Sequence, residues 1–218
     1  MSSLTDPKLQ RATDLTRKRY DRNARGFDRM EAMVERRRMA GWRATLWTRV
    51  RGPRVLELGV GTGKNMPYYP PGSSVTAIDL SPRMLDVARG RAAGDGIDVQ
   101  LFEADVQRLP FADASFDTVA ATFVFCSVPE PVLGLREARR VLVPGGQLLL
   151  LEHVLSENRL LRPLMRAANP VAARVSGANI NRRTVANVER AGFRIERVDD
   201  LWHDVVKLIE ARSDAEET

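Results

Sequence analysis

Apolar and polar positions recur along this chain with two different periods, and the change of period marks its organisation. Tyr20, Ala24, Phe27, Met30 and Val34 return every three or four residues, with Arg17, Lys18, Arg22, Arg25, Arg29 and Arg36 filling the rest of the turn. That spacing predicts an amphipathic helix. Trp42, Leu46 and Val50 repeat it over a second, shorter helix. At Gly52-Pro53 the pattern breaks, and short apolar runs bounded by turn residues take over. They predict strands at 54–58, 74–79, 98–103, 116–124 and 146–153. Helical patterns stand between them at 82–93, where Ser81 is a ready N-cap and Pro82 suits the first position, and at 131–143. A helix over 184–191 closed by Gly192 follows, then strands at 193–198 and 203–209 that can form an antiparallel hairpin at a sheet edge.

Strands and helices taking turns place the chain in the α/β class, with a mostly parallel sheet covered on both faces and ligands at the carboxyl ends of its strands. Three parts follow. Residues 1–52 form a basic amphipathic lid or membrane-contact segment, residues 53–212 the α/β domain, and residues 213–218 a disordered tail. Within the domain, 157–183 reads as an insertion carrying six arginines and one acid, Glu157, interleaved with Leu160, Leu161, Leu164, Met165 and Val171. No internal repeat or low-complexity linker interrupts this plan.

Composition narrows the setting. With 218 residues and 44% hydrophobic side chains, one compact domain with attached segments is expected. No run approaches the roughly 18 to 20 uncharged apolar residues of a membrane-spanning helix. The single Cys126 excludes an internal disulfide framework and a cysteine-based zinc cluster, and residues 1–20 lack the apolar core of a signal peptide. A reducing, cytoplasmic setting is expected, with no metal. The net charge of +6 hides an asymmetry. Residues 1–54 hold 15 basic and 6 acidic side chains, net +9, which leaves the remainder at −3. Such a segment seeks an anionic partner, nucleic acid or a membrane surface. Aromatic residues make up only 6%, too few for a stacking platform, and no RNA-binding module is recognisable, so nucleic acid is disfavoured.

The most informative string is Glu57-Leu-Gly59-Val-Gly61-Thr-Gly63-Lys64, at the end of the first predicted strand. Three glycines in five positions let a ligand pass close to the backbone. The dinucleotide fingerprint fails, because its sixth position is Lys64 and the third glycine comes one residue early; the phosphate-binding Walker loop fails too. Two carboxylates point to another ligand. Glu57 precedes the glycines, and Asp79 ends the second strand, where an acid can accept hydrogen bonds from a ribose diol.

Glu57-Leu-Gly-Val-Gly-Thr-Gly63, Asp79-Leu-Ser-Pro-Arg-Met84, Ala104-Asp105-Val106 and Leu142-Val-Pro-Gly-Gly146 together resemble the ordered motifs of class I S-adenosylmethionine-dependent methyltransferases. The resemblance covers roughly residues 53–212 and implies a Rossmann-like fold with a seven-stranded, mostly parallel sheet and S-adenosylmethionine as cofactor. It further implies that Gly59, Gly61 and Gly63 pass the amino-acid end of the cofactor and that Asp79 takes the ribose hydroxyls. Leu80 or Met84 would pack on adenine, with Val106 in the same cofactor site, and Asp105 would accept from the adenine amino group. Thr122 and Phe123 would lie beside the methionine moiety. A sulfonium cation suits a carboxylate-rich, aromatic-lined cleft, and Glu57 has the right sign.

The acceptor must be read from the appended segments. Arg19-Tyr-Asp-Arg-Asn-Ala-Arg-Gly-Phe-Asp28 resembles the lead-in shared by quinone C-methyltransferases and bacterial phospholipid N-methyltransferases. Gly61-Thr-Gly-Lys-Asn65, Tyr68-Tyr-Pro-Pro-Gly72 and Phe125-Cys-Ser-Val-Pro129 look most similar to bacterial phosphatidylethanolamine N-methyltransferases. Animal methyltransferase-like proteins acting on thiols share the Tyr-Pro-Pro-Gly turn and the Ala178-Asn-Ile-Asn-Arg182 neighbourhood. The reading that follows is a monomeric enzyme, peripheral to the inner face of an anionic membrane, that methylates the ethanolamine amine of phospholipid up to phosphatidylcholine. His153, just after the fifth strand, is the candidate general base, and Tyr20 the candidate to orient the amine from the lid. Tyr20, Phe27, Asn179, Arg182 and Arg183 are the candidate substrate contacts, the arginines for lipid phosphate. A quinone C-methyltransferase, a small-molecule or thiol methyltransferase, and a membrane-binding module on an inactive core remain the alternatives. The stripe on residues 20–34 is compatible with either lipid or the domain itself as its cover.

Overall fold

The computed structural model describes residues 6–34, 38–175 and 179–214. Seven strands form one sheet: β1 (Arg54–Leu58), β2 (Ser74–Asp79), β3 (Gln100–Glu103), β4 (Phe116–Thr122), β5 (Leu142–His153), β6 (Phe193–Trp202) and β7 (Val206–Ser213). Their order is β3-β2-β1-β4-β5-β7-β6. The first five pair in parallel, and β7 runs antiparallel to both β5 and β6. The chain therefore winds outward from β1 in one direction, then returns to start again at β4. That reversal opens a crevice at the carboxyl ends of β1 and β4.

The central strands are apolar at nearly every position because both faces are covered, and the strand period of two sorts their side chains. Leu56, Leu58, Leu148 and Leu150 pack on one side with Leu135 and Ala138 of α4 (Pro131–Val141) and Val188 of α6 (Thr184–Arg190). Val55, Leu149 and Leu151 pack on the other with Leu46 and Trp47 of α2 (Ala40–Trp47). Met66, Leu85 and Ala88 close a third cluster under α3 (Pro82–Asp95). Each fully buried Leu contributes about 1.5–3 kcal/mol, so these layers hold the crevice rigid. Ser81 caps α3 as expected, accepting from the Met84 N–H at 3.1 Å.

Several boundaries differ from expectation; β4 stops at Thr122 and α4 at Val141, each two residues short of its expected end. β5 starts at Leu142, because Phe116 pairs with Leu142 across a register shift before Thr118. β3 is limited to four residues. The hairpin turn falls between Trp202 and Val206 rather than near residue 200, so His203 sits in the turn, at φ +46°. Ser213, assigned to the tail, ends β7 and donates from its hydroxyl to the Val143 carbonyl at 2.8 Å. Within the basic insertion, α5 (Leu161–Val175) forms a helix.

The stripe belongs to one long helix, α1 (Pro7–Val34), about 42 Å from end to end at 1.5 Å per residue. Leu9 and Ala24 are buried, and Tyr20 and Phe27 turn toward the crevice, their rings 6.3 Å apart. The side chains of Arg25, Arg29, Met30, Val34, Arg36, Val171 and Arg174, and residues 215–218, lie outside the described residues. Among the described residues no helix is long and apolar enough to cross a membrane.

Candidate active site

The loop after β1 must leave the strand, turn back beside β2 and enter the next segment within five residues. Gly59, Gly61 and Gly63 do this at φ +65°, +56° and +83°, a region that carries a steric cost for any residue with a Cβ. A Cβ on Gly59 would stand 2.5 Å from a Val124 methyl, whereas one on Gly61 would meet nothing within 4 Å. Gly61 borders open space. Its N–H donates to Asp79 Oδ2 at 2.8 Å, and the Ser81 N–H donates to Oδ1 at 2.8 Å. Both carboxylate oxygens are thus aimed by backbone, and each keeps a lone pair for a ligand diol. Burial pushes the Asp79 carboxyl up to about 6 against the pull of those amides.

A cavity of about 340 Å³ opens above this loop. At one end it is lined by Gly59, Gly61, Asp79, Leu80, Met84, Asp105 and Val106; at the other by Tyr20, Phe27, Thr122, Phe123, Cys126 and His153. Of the sequence candidates, these thirteen less Cys126 are brought together as the motifs imply. Gly63 stands behind them: its Cβ would strike the Met66 thioether. Glu57 is not on the cavity wall. It is fully buried, and its carboxylate accepts from Asn65 Nδ2 at 2.6 Å and from the Tyr69 hydroxyl. Burial raises its carboxyl to about 7. Asn179, Arg182 and Arg183 are also off the wall. Asn179 donates from backbone and side chain to the Cys126 carbonyl, and Arg182 Nη2 donates to the Val128 carbonyl at 2.7 Å. Arg183 is exposed. The first two support the loop after β4, while the Ile180 between them reaches the cavity.

That loop carries Phe123 at φ +57° and is held from below by Glu152. The Glu152 Oε1 accepts the N–H groups of Val124 at 2.8 Å and Phe125 at 2.9 Å. Its neighbour His153 faces the opposite way, into the cavity, with its ring 4.5 Å from that of Phe123. Burial lowers the His153 pKa, so the imidazole is neutral at pH 7 with a lone pair to offer. Cys126 is buried, and its thiol is pushed up to about 12, which makes it inert filling rather than a nucleophile.

α1 closes the cavity from above. The Tyr20 hydroxyl is hydrogen-bonded to Ser127 Oγ at 2.6 Å, the Ser81 hydroxyl donates to Asp21 at 2.6 Å, and the Thr62 hydroxyl donates to Asp28 at 2.7 Å. Arg91 also pairs with Asp28. Several site residues escaped sequence reasoning, and five of them carry polar or charged groups at the wall or behind it. Arg43 of α2 is buried in the wall, donates to Asn65 Oδ1 at 2.9 Å and lies 5.9 Å from the Phe123 ring centre. Lys64 lies 5.3 Å above the Phe27 ring. Gln107 clasps Asp105 through its backbone N–H and side-chain amide, and its amide also donates to Thr13 of α1. Asn65 and Tyr69 hold Glu57. Lys64 adjoined the motif and was within reach of a spacing argument; the others come into place only through tertiary packing. Among the described residues no cluster of three His, Cys, Asp or Glu is arranged to hold a metal.

The donor set fits S-adenosylmethionine: a carboxylate pair of oxygens for a diol, apolar Leu80, Met84 and Val106 for a purine, and a glycine cradle open where a Cβ would intrude. Comparison with known proteins agrees. Residues 56–150 match the methyltransferase domain family. A phosphatidylethanolamine N-methyltransferase of Cereibacter sphaeroides is 42% identical over 105 residues, 47% of this chain and 52% of that protein. A thiol S-methyltransferase of Rattus norvegicus is 36% identical over 64% of this chain and 59% of its own length. A demethylmenaquinone methyltransferase of Clavibacter sepedonicus is 38% identical over 61% and 56%. The chain thus spans only about half the length of the curated relatives it matches. In fold, it is similar to the crystal structure of a SAM-dependent methyltransferase of Thermotoga maritima, at TM-score 0.68 and 20% identity, covering 89% of this chain and 98% of that one. Strand order, glycine cradle and matched family together identify the α/β domain of this chain as a class I S-adenosylmethionine-dependent methyltransferase domain.

Proposed function

We propose that the chain transfers a methyl group from S-adenosylmethionine to the amine of phosphatidylethanolamine, and onward to its mono- and dimethyl forms, giving phosphatidylcholine at a membrane surface. The observation that carries the reading is the neutral His153 at the end of β5, in the cavity wall and stacked on Phe123. The relative from Cereibacter sphaeroides supports the choice of acceptor.

When bound, the cofactor supplies an electrophilic methyl group, open to in-line attack by the acceptor lone pair. The chain's own residues then have three tasks. Asp79, Leu80, Met84, Val106 and Asp105 hold the adenosine end, with Gln107 sharing Asp105, while Gly59, Gly61 and Thr122 receive the amino-acid end. The amine must be presented neutral: an alkylammonium of pKa about 10.4 costs roughly 4.6 kcal/mol to deprotonate at pH 7. Arg43 in the same wall lowers that cost by opposing a second cation, and His153 Nδ1 or Nε2 takes the proton. The faces of Tyr20, Phe27 and Phe123 accommodate the methylated ammonium as it grows. Arg183, exposed at the start of α6, is the candidate for lipid phosphate.

One observation favours a second reading. The carboxylates lining the cavity among the described residues are Asp79 and Asp105, which the motifs assign to the adenosine, whereas the Arg43 guanidinium lies 5.9 Å from the Phe123 ring centre in the wall shared with His153. That positive charge also suits a thiolate or a quinol anion. Labelled methyl donor incubated with phosphatidylethanolamine vesicles, phosphatidylglycerol vesicles, an alkyl thiol and reduced demethylmenaquinone distinguishes them. Label in phosphatidylethanolamine is expected; its absence there, in a protein that binds the cofactor, overturns the proposal.

A further inference from the structure

On α1 Ala24 is buried and Tyr20 and Phe27, half-buried, line the cavity, which leaves open where a bilayer would meet the protein. Among the described large apolar side chains that reach solvent, Leu15 of α1, Phe102 and Val198 stand apart, and three others fall close together. Leu160, just before α5, is 85% exposed, Leu164 in the first turn of α5 is 65% exposed, and Trp202 at the β6–β7 turn is 42% exposed. These belong to one neighbourhood. Asp204 of the turn accepts from the Ser156 hydroxyl at 2.7 Å and from the Glu157 N–H at 2.6 Å, which pins the approach to α5 against the turn. The turn in turn follows the edge of β5 that bears the cavity: His153 pairs with Val206, and the Val154 N–H donates to the Val205 carbonyl at 2.9 Å. Farther along, Asn169 of α5 bonds Asn179, next to the cavity-lining Ile180.

The charge on the α5 side of this neighbourhood is basic, while Glu157, Asp200 and Asp204 stand at its border with the β6–β7 turn. From Asn158 to Arg183 the sequence contains no acidic residue. Arg159 and Arg166 are exposed beside the leucines, and the guanidinium of exposed Arg38 lies 5.3 Å from the Trp202 ring centre. Exposed leucines and a tryptophan with arginines beside them match a bilayer interface, with apolar groups entering the headgroup region and guanidinium groups meeting lipid phosphate. A solvated face of ordinary kind would not expose two leucines four residues apart in the chain near an exposed tryptophan.

We propose that the rim formed by the start of α5 and the β6–β7 turn is the membrane-docking surface. Leu160, Leu164 and Trp202 insert into an anionic leaflet, Arg38, Arg159 and Arg166 bind its phosphates, and the cavity mouth is carried to the bilayer. This deepens the lipid reading above, but it is tested by binding alone. A protein that methylates only a soluble thiol can still dock, and one that methylates detergent-dispersed phosphatidylethanolamine can still fail to dock.

The test is sedimentation of the full chain with vesicles of equal phosphatidylglycerol and phosphatidylcholine. The doubly substituted Leu160→Ser/Leu164→Ser protein is expected to partition about tenfold less, and Arg159→Glu/Arg166→Glu about tenfold less or lower still, the latter with a shallower salt dependence. Leu15→Ser, which removes a leucine that is 64% exposed on the outer face of α1, is expected to stay within twofold of the parent. Unchanged circular dichroism and S-adenosylhomocysteine affinity establish that the variants are folded; Trp202→Phe provides a single conservative check if the double variants are not. Wild-type binding by the α5 variants, loss of binding by Leu15→Ser alone, or no vesicle binding by the parent overturns the proposal.

Discussion

Replacing Glu152 by Gln separates the charge of a buried carboxylate from its shape. Glu152 Oε1 accepts two backbone N–H groups of the loop that presents Phe123 to Ser127, while Oε2 is buried with no hydrogen-bond partner. Burial raises the carboxyl from 4.5 to about 7, against the pull of the Phe125, Val124 and Cys126 amides and of Arg182. A carboxyl whose pKa is higher folded than unfolded holds its proton more tightly in the native state. Its stabilising contribution is complete below pH 4.5 and is lost as pH rises through 7. At about 1.4 kcal/mol per pH unit, the loss is roughly 3 kcal/mol. Gln keeps the acceptor but brings an amide to the place where Oε2 has no partner, at a pH-independent cost of about 1–3 kcal/mol. The variant is therefore expected to be less stable than the parent at pH 5 and to reach or exceed it at pH 8. Urea unfolding at both values reads the difference, which should swing by about 2–3 kcal/mol. Glu152→Ala strands both amides and should lose about 2–6 kcal/mol at pH 5, and about 2–3 kcal/mol less than that at pH 8, where the parent has itself lost stability. Parallel stability curves for parent and Gln variant would refute the assignment of a buried, proton-binding carboxyl.

Two further outcomes follow from the same geometry. His153→Asn should lower the methylation rate by about 10²–10⁴, and the acid limb of the parent's pH–rate profile should fall below the ordinary histidine value of 6.5, because burial lowers this one; a variant within twofold of the parent rejects the base role. Gly59→Ala and Gly61→Ala should part company: the first clashes with Val124 and destabilises by about 1–3 kcal/mol in thermal melts, whereas the second costs only backbone strain of about 1–2 kcal/mol but puts a methyl into the cavity, so calorimetry should show the larger loss of S-adenosylhomocysteine affinity there.

What could be read in the chain, and what could not, divides by the range of the interactions involved. Strand centres, the Ser81 cap and the glycine and acid positions are local necessities, and all were legible. The start of β5 and the position of the last hairpin turn depend on pairing across the sheet, Phe116 with Leu142 and His153 with Val206, and were not. Arg43 looks in sequence like one more cation on a basic segment, and only the packing of α2 buries it beside Phe123. The stripe of α1 is the sharpest case, because a helix covering a cavity and one lying on lipid share the same apolar spacing. The polar residues between decide it. Asp21 takes the Ser81 hydroxyl at the cap of α3, and Asp28 takes Thr62 of the glycine loop and Arg91 of α3. These bonds tie α1 across the adenosine end of the cavity, so the helix must release them before a bound ligand can leave. Hydrogen bonds to charged groups contribute about 1.5–3 kcal/mol each, less where solvent reaches them, as at the 39% exposed Asp28. Asp21→Ala/Asp28→Ala is therefore expected to speed S-adenosylhomocysteine dissociation at least about tenfold in stopped-flow, with the core, which these residues do not enter, melting within a few degrees of the parent. Unchanged dissociation would mean that α1 rests on the cavity without holding it shut.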